Sequence, residues 1–274
     1  MSSLLKTPPS VPDPEPAHLD ELFAGIELIE DDGEPMESDW HVKTMLLLMS
    51  SIDQHFRDRE DYYVGGNMFI YFSAQQARNN DFRGPDFYFV WNTMRQPLRK
   101  YWAVWLEHGR TPDVVIELCS PSTRKEDHGT KKKIYEATLH VSDYFCYDPE
   151  KGLLEGWILK NKKYVPLKPN AEGRLWSEEL GLWVGPWHGK LGRFTDTWLR
   201  FFDKQGKLVL NEDEASSLRA DEAERNAETA QRHADEADKR LKTVEAEAEA
   251  LRAKLASLEA KNGSAKNGTG KKKK

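Results

Sequence analysis

The chain has 274 residues, a net charge of −6 and 38% hydrophobic residues, enough for one substantial globular domain with appendages. The acidic balance excludes a polybasic nucleic-acid coat, so any contact with a polyanion must come from a local basic patch. No apolar run approaches the length of a membrane span, the Pro- and acid-rich N-terminus lacks the order of a signal peptide, and the two cysteines, Cys119 and Cys146, sit in apolar runs as buried thiols of a reducing compartment; a cytoplasmic protein is expected.

Residues 1–24 form an irregular lead-in. Ile26 to Ile29, ended by Asp31-Asp32-Gly33, predicts a small leading strand. Ser38 to Phe56 reads as a helix: Met45, Leu46, Leu48, Met49, Ile52 and Phe56 recur at helical spacing, and Ser38 or Asp39 offers an N-cap. Tyr62 to Phe72 looks like a strand broken at Gly65-Gly66, followed by strands at Asp86 to Trp91 and Asp113 to Cys119. A helix from Lys131 to Leu139 leads to a strand at Tyr144 to Tyr147, ended by Asp148-Pro149. Strands at Leu154 to Leu159 and Lys163 to Leu167 open a β-rich extension. Helix, three strands, helix, strand and extension make a mixed α/β core over residues 25–212.

From 213 to 261 the chain becomes Ala, Glu, Arg, Lys and Leu. Ala220, Ala227, Ala234, Leu241, Ala248 and Leu255 hold one heptad core position, and Ala223, Ala230, Ala237, Val244, Leu251 and Leu258 the other. That pattern predicts a coiled coil roughly 70 Å long, and with it a homo-oligomer. Residues 262–274 end in four lysines and read as a disordered basic tail.

The chemistry concentrates at two Pro-Asp pairs, Pro85-Asp86 and Pro112-Asp113, each at the mouth of an apolar run. Alternation along a strand puts Asp113, Val115, Glu117 and Cys119 on one face. A carboxylate inside a buried strand is costly without a partner or a task. If the two strands pair, Asp86 and Glu117 converge into a site for Mg²⁺ (or Mn²⁺), which takes hard oxygen ligands and assists phosphodiester hydrolysis. A lysine would assist such a site. The simplest place for it, two residues after Glu117, holds Cys119. If the next helix begins a turn earlier, Asp127, Lys131 and Tyr135 share one face, which makes Lys131 the candidate. Accessory candidates are Asp113, Glu37 and Tyr135, and Arg124, Lys125, Lys132 and Lys133 are candidates for DNA phosphates. The histidines show no metal-ligand spacing, which argues against zinc, and phosphate-loop and Ser-nucleophile motifs are absent. A Pro-Asp pair before a strand is also common turn chemistry, and Glu117 can pair structurally with a buried cation.

The order Pro85-Asp86, Pro112 to Arg124, then Asp127, Lys131 and Tyr135, then Tyr144-Phe145-Cys146-Tyr147-Asp148-Pro149 resembles the Uma2 family of restriction-type endonucleases, within the PD-(D/E)xK nuclease fold. The stretch Glu27 to Glu34 is similar to that family's opening strand and turn. The resemblance implies a restriction-endonuclease-like mixed sheet flanked by helices. It implies a Mg²⁺-dependent DNA endonuclease with the family's Asp at Asp86, its Glu at Glu117 and its lysine, moved onto the helix, at Lys131. His140 and Phe145 depart from the family's usual Gly and Trp. The alternative is a catalytically inactive nuclease-fold protein serving DNA binding or coiled-coil assembly, which Cys119 favours.

Overall fold

A computed structural model of the chain describes residue 26, residues 38–78 and residues 83–267. The expected leading strand, except for Ile26, lies outside the described residues, as does Glu37. Helix α1 (Asp39–His55) starts where the sequence placed it, with the Ser38 side chain accepting from the His41 N–H. Strands β1 (Tyr62–Gly65) and β2 (Ile70–Tyr71) fall either side of the Gly-Gly break, and α2 (Ala74–Arg78), β3 (Phe87–Trp91), β4 (Trp102–Ala103) and β5 (Val114–Leu118) follow. The next helix does begin early: α3 (Arg124–Glu126) passes through a π-helical turn at Asp127–Lys131 into α4 (Lys132–Ala137). Then come β6 (Asp143–Asp148), β7 (Leu153–Lys160), β8 (Lys163–Pro166), β9 (Leu175–Ser177), β10 (Leu182–Leu191), β11 (Phe194–Phe202) and a long helix, α5 (Glu212–Asn267).

The protein is mixed α/β. Among the described residues, six strands form one sheet in the order β1-β3-β5-β6-β7-β8. The β5–β6 pair is parallel, with α3 and α4 in the crossover, and its other neighbours are antiparallel. Alternation sorts β5 between two cores. Val114, Ile116 and Leu118 join Leu48, Phe87 and Phe201 on the face covered by α1 and the small β9-β10-β11 sheet. Val115 and Cys119 join Tyr88, Tyr135 and Tyr144 on the face covered by α4. Glu117 lies between Val115 and Cys119 in sequence, so it shares the α4 face.

Two buried carboxylates hold turns. Asp113 accepts from the Trp91 N–H at 2.7 Å. Asp143, fully buried, accepts from the Ser177 hydroxyl at 2.6 Å and the Glu179 N–H at 3.1 Å. Farther along, Asn211 and Glu214 form a reciprocal cap: the Glu214 N–H donates to Asn211 Oδ1 at 2.8 Å and the Asn211 N–H to Glu214 Oε2 at 2.9 Å. The buried Arg200 guanidinium clasps Glu214 at 3.0 and 2.6 Å, fixing the start of α5. Helix α5 then leaves Leu241, Val244, Leu251, Leu255 and Leu258 exposed on its heptad positions. It continues to Asn267, past the Lys261 boundary drawn from composition, while 268–274 lie outside the described residues. No described helix is long and apolar enough to cross a membrane.

Burial, partly offset by the Ser177 and Glu179 bonds, pushes the Asp143 carboxyl from its ordinary 3.8 to about 6. The folded protein therefore keeps this proton over a range in which the unfolded chain has lost it. The associated stability is present below about pH 4 and is lost as pH rises through 6. A rise of this size corresponds to about 3 kcal/mol at most. Urea unfolding between pH 4 and 6.5 should show a fall in stability that is shallower in Asp143→Asn by roughly 2 kcal/mol; parallel curves would refute the assignment.

Candidate active site

The antiparallel register pairs Phe87 with Ile116, Tyr88 with Val115 and Phe89 with Val114. Continued by one step, it sets Asp86 opposite Glu117, on one face of the sheet. Asp86 stands just outside the ladder, and its Oδ2 accepts the Leu118 N–H at 2.7 Å. The loop before it is pressed close: the Asn67 N–H donates to the Pro85 carbonyl at 2.9 Å. A Cβ on Gly66 would come within 2.7 Å of the Asp86 carbonyl oxygen, so the close approach that seats Asp86 requires glycine there.

The other side of the same peptide unit is held by His41. Its Nε2 lies 2.6 Å from the Leu118 carbonyl oxygen and its Nδ1 lies 2.9 Å from Ser38 Oγ. A carbonyl only accepts, so Nε2 carries the proton and donates. Asp86 and His41 thus clamp Leu118 at its N–H and its C=O, which fixes the strand just after Glu117.

Glu117 is 1% exposed. Tyr135 donates its hydroxyl to Glu117 Oε1 at 2.8 Å, and Lys131 Nζ stands 3.1 Å from Oε2. The same ammonium lies 2.9 Å from Asp127 Oδ1, and Asp127 is also 1% exposed. The π-turn supplies this arrangement. Asp127 and Lys131 begin and end it, and the Tyr144 hydroxyl donates to the Asp127 carbonyl at 2.8 Å. Such turns recur at functional sites because they re-aim side chains within a helix.

Two carboxylates therefore contact one ammonium, and the charge of Asp86 reaches it as well. Burial pushes the Glu117 carboxyl well above its usual range, with Asp127 and Asp86 adding to the rise and Lys131 opposing it. Asp86 is raised too, by burial above all, against the Leu118 N–H and the Lys131 charge. For Lys131 burial acts to lower the pKa, but Glu117 and Asp127 together outweigh it and hold the ammonium above its ordinary value. One positive charge does not satisfy this much buried carboxylate. A hard divalent cation beside Asp86 and Glu117 fits the donor set.

Of the residues singled out from sequence, Asp86, Glu117, Lys131 and Tyr135 come together here. Asp113 does not: it stands at the opposite end of β5, about 13 Å of strand from Glu117, where it closes the end of β3. Among the basic candidates, Lys125 and Lys133 are exposed. Arg124 pairs with Asp148, and the Lys132 ammonium sits 3.4 Å from the centre of a Trp157 ring. His41 escaped the sequence reading because its partners are a backbone carbonyl and a cap. The only local signal was its place three residues after Ser38.

The family model described as Uma2, "Putative restriction endonuclease", matches residues 24–189. No curated protein matches the chain. Among solved structures it is similar to "a putative nuclease belonging to DUF820" from Anabaena variabilis, at 13% identity, covering 55% of this chain and 81% of that one, with a TM-score of 0.40.

Proposed function

The chain belongs to the Uma2 family of restriction-type endonucleases, and from that premise we propose that residues 25–212 form a Mg²⁺-dependent nuclease domain that hydrolyses DNA phosphodiesters. The observation that carries this reading is the Lys131 ammonium, 3.1 Å from Glu117 and 2.9 Å from Asp127, beside the strand position where Asp86 faces Glu117.

Asp86 and Glu117 are the residues that would hold Mg²⁺ or Mn²⁺. A bound cation of this kind acidifies the attacking water and neutralises charge on the phosphate and the leaving oxygen. The protein's own groups do the rest. The Tyr135 hydroxyl holds one Glu117 oxygen and so aims the other. Asp127 keeps Lys131 beside Glu117 near the end of β5, where its N–H bonds orient water and stabilise negative charge growing on phosphorus. The clamp of Asp86 and His41 on Leu118 keeps the two metal-binding carboxylates in register. Lys125 and Lys133 present their charges to solvent, suited to DNA phosphates. Both cysteines carry free thiols, which supports a reducing, cytoplasmic setting.

Nicking of supercoiled plasmid by the purified full chain should require Mg²⁺ or Mn²⁺. Activity should fall at least about 100-fold in Asp86→Asn, Glu117→Gln and Lys131→Ala. Equal nicking in all four proteins would trace the activity to a contaminant. A folded wild-type protein that binds DNA without cutting it would favour the inactive binding module.

The exposed heptad positions of α5 fit a second copy of this chain, paired through its own α5. Sizing by light scattering should give a dimer or higher oligomer for the full chain and a monomer after truncation at residue 219, which keeps the Arg200–Glu214 pair. A monomeric full chain at micromolar concentration would end this reading.

A further inference from the structure

On the α4 face of the sheet, beyond the acidic cluster, the chain has a second group of ligating side chains. Cys119 follows the end of β5, Cys146 lies in β6 and His128 lies in the π-turn. Their ligand atoms all stand within 4.8 Å of one another. They open on a surface cavity of about 530 Å³ that Arg124, Lys125 and Glu155 also line. We propose that Cys119, Cys146 and His128 bind a thiophilic divalent cation of the Zn²⁺ class, with Glu155 completing the set.

The donor chemistry is the first argument. Two sulfurs and an imidazole select Zn²⁺ over the oxygen-seeking Mg²⁺. Tetrahedral zinc with bonds of ~2.3 Å to sulfur sets its two sulfurs ~3.8 Å apart, so the observed spacing needs a contraction of no more than about 1 Å.

The orientation of His128 is the second. Its Nδ1 lies 3.0 Å from the Arg124 carbonyl oxygen, which only accepts, so Nδ1 carries a proton. That bond steers the imidazole and leaves Nε2 as the ligating nitrogen, the usual outer support of a metal-bound histidine. Nε2 meets Glu155 Oε2 at 2.7 Å, a contact that in this state needs a proton shared between them. A cation taking that proton's place would bond both groups. Two thiolates and a carboxylate leave the loaded site with one net negative charge, which the exposed Lys125 on the same cavity opposes.

The placement gives the ion a task. Cys119 is two residues beyond Glu117, and His128 lies between Asp127 and Lys131 in the π-turn. A cation here would staple the end of β5 to β6 and to the turn that carries Lys131, without touching the acidic cluster. The site would act as a structural fastener.

The test uses the full chain kept in a non-thiol reductant, loaded with Zn²⁺ or Co²⁺ and then desalted. Metal analysis should find about one Zn²⁺ per chain. Co²⁺ should give the intense thiolate-to-metal absorption of tetrahedral sulfur coordination. Both signals should persist in Asp86→Ala, which disables the other cation site, and vanish in Cys119→Ser/Cys146→Ser. His128→Gln, a change at a half-buried position that leaves both thiols in place, should weaken Zn²⁺ at least about 10-fold while preserving the far-ultraviolet circular dichroism. The proposal is overturned if folded wild type retains no Zn²⁺, if its Co²⁺ complex lacks the thiolate band, or if His128→Gln binds as tightly as wild type.

Discussion

Everything at the centre of this molecule turns on one half-buried ammonium. Lys131 touches both Glu117 and Asp127, two carboxylates that are each 1% exposed. Buried acids without such a partner would have to stay protonated or carry a desolvation cost of several kcal/mol each. Lys131 sets an opposing charge beside both acids at the end of a central strand. The sheet register and the π-turn are two ways of serving that contact: one brings Glu117 beside Asp86, the other delivers Lys131 from the crossover between two parallel strands. Removing one member of a buried ion pair commonly costs about 3–5 kcal/mol, so the cluster is as much a structural joint as a chemical one.

Function and fold are therefore hard to separate here. Tyr135 belongs to the apolar core on the α4 face and also fixes a Glu117 oxygen. Asp86 ends the β3–β5 ladder by taking the Leu118 N–H and is also the second acid of the site. A Pro-Asp pair at a strand mouth thus serves turn chemistry and, in the proposed function, site chemistry as well. The second pair, Pro112-Asp113, serves the turn alone, since Asp113 meets the Trp91 N–H at the far end of β5.

The central strands were legible because each is a continuous apolar run bounded by turn residues, as in Phe87–Trp91, Val114–Leu118 and Asp143–Asp148. The helix face that carries Asp127, Lys131 and Tyr135 followed from spacing alone once the helix was allowed an earlier start. Other features left no local trace. Strand β4 has only two residues and pairs with a two-residue partner, too short for any periodicity. The β9-β10-β11 sheet mixes Gly, Pro and Trp with apolar residues, so it read only as a β-rich extension. The Cys119, His128 and Cys146 group comes from a strand end, a π-turn and a neighbouring strand. Its members have no motif spacing, so the pattern of histidines along the chain gives no sign of it. Side chains that meet through tertiary folding are invisible to a local pattern, whatever their chemistry.

The central claim is that Asp86 and Glu117 share a divalent cation next to Lys131. Anomalous diffraction from crystals soaked in Mn²⁺ tests it most directly. The account predicts a peak within about 2.3 Å of an oxygen from each carboxylate, on the side of the sheet that carries Lys131. A well-occupied soak with no peak between those two residues, while density for both side chains is clear, would contradict it.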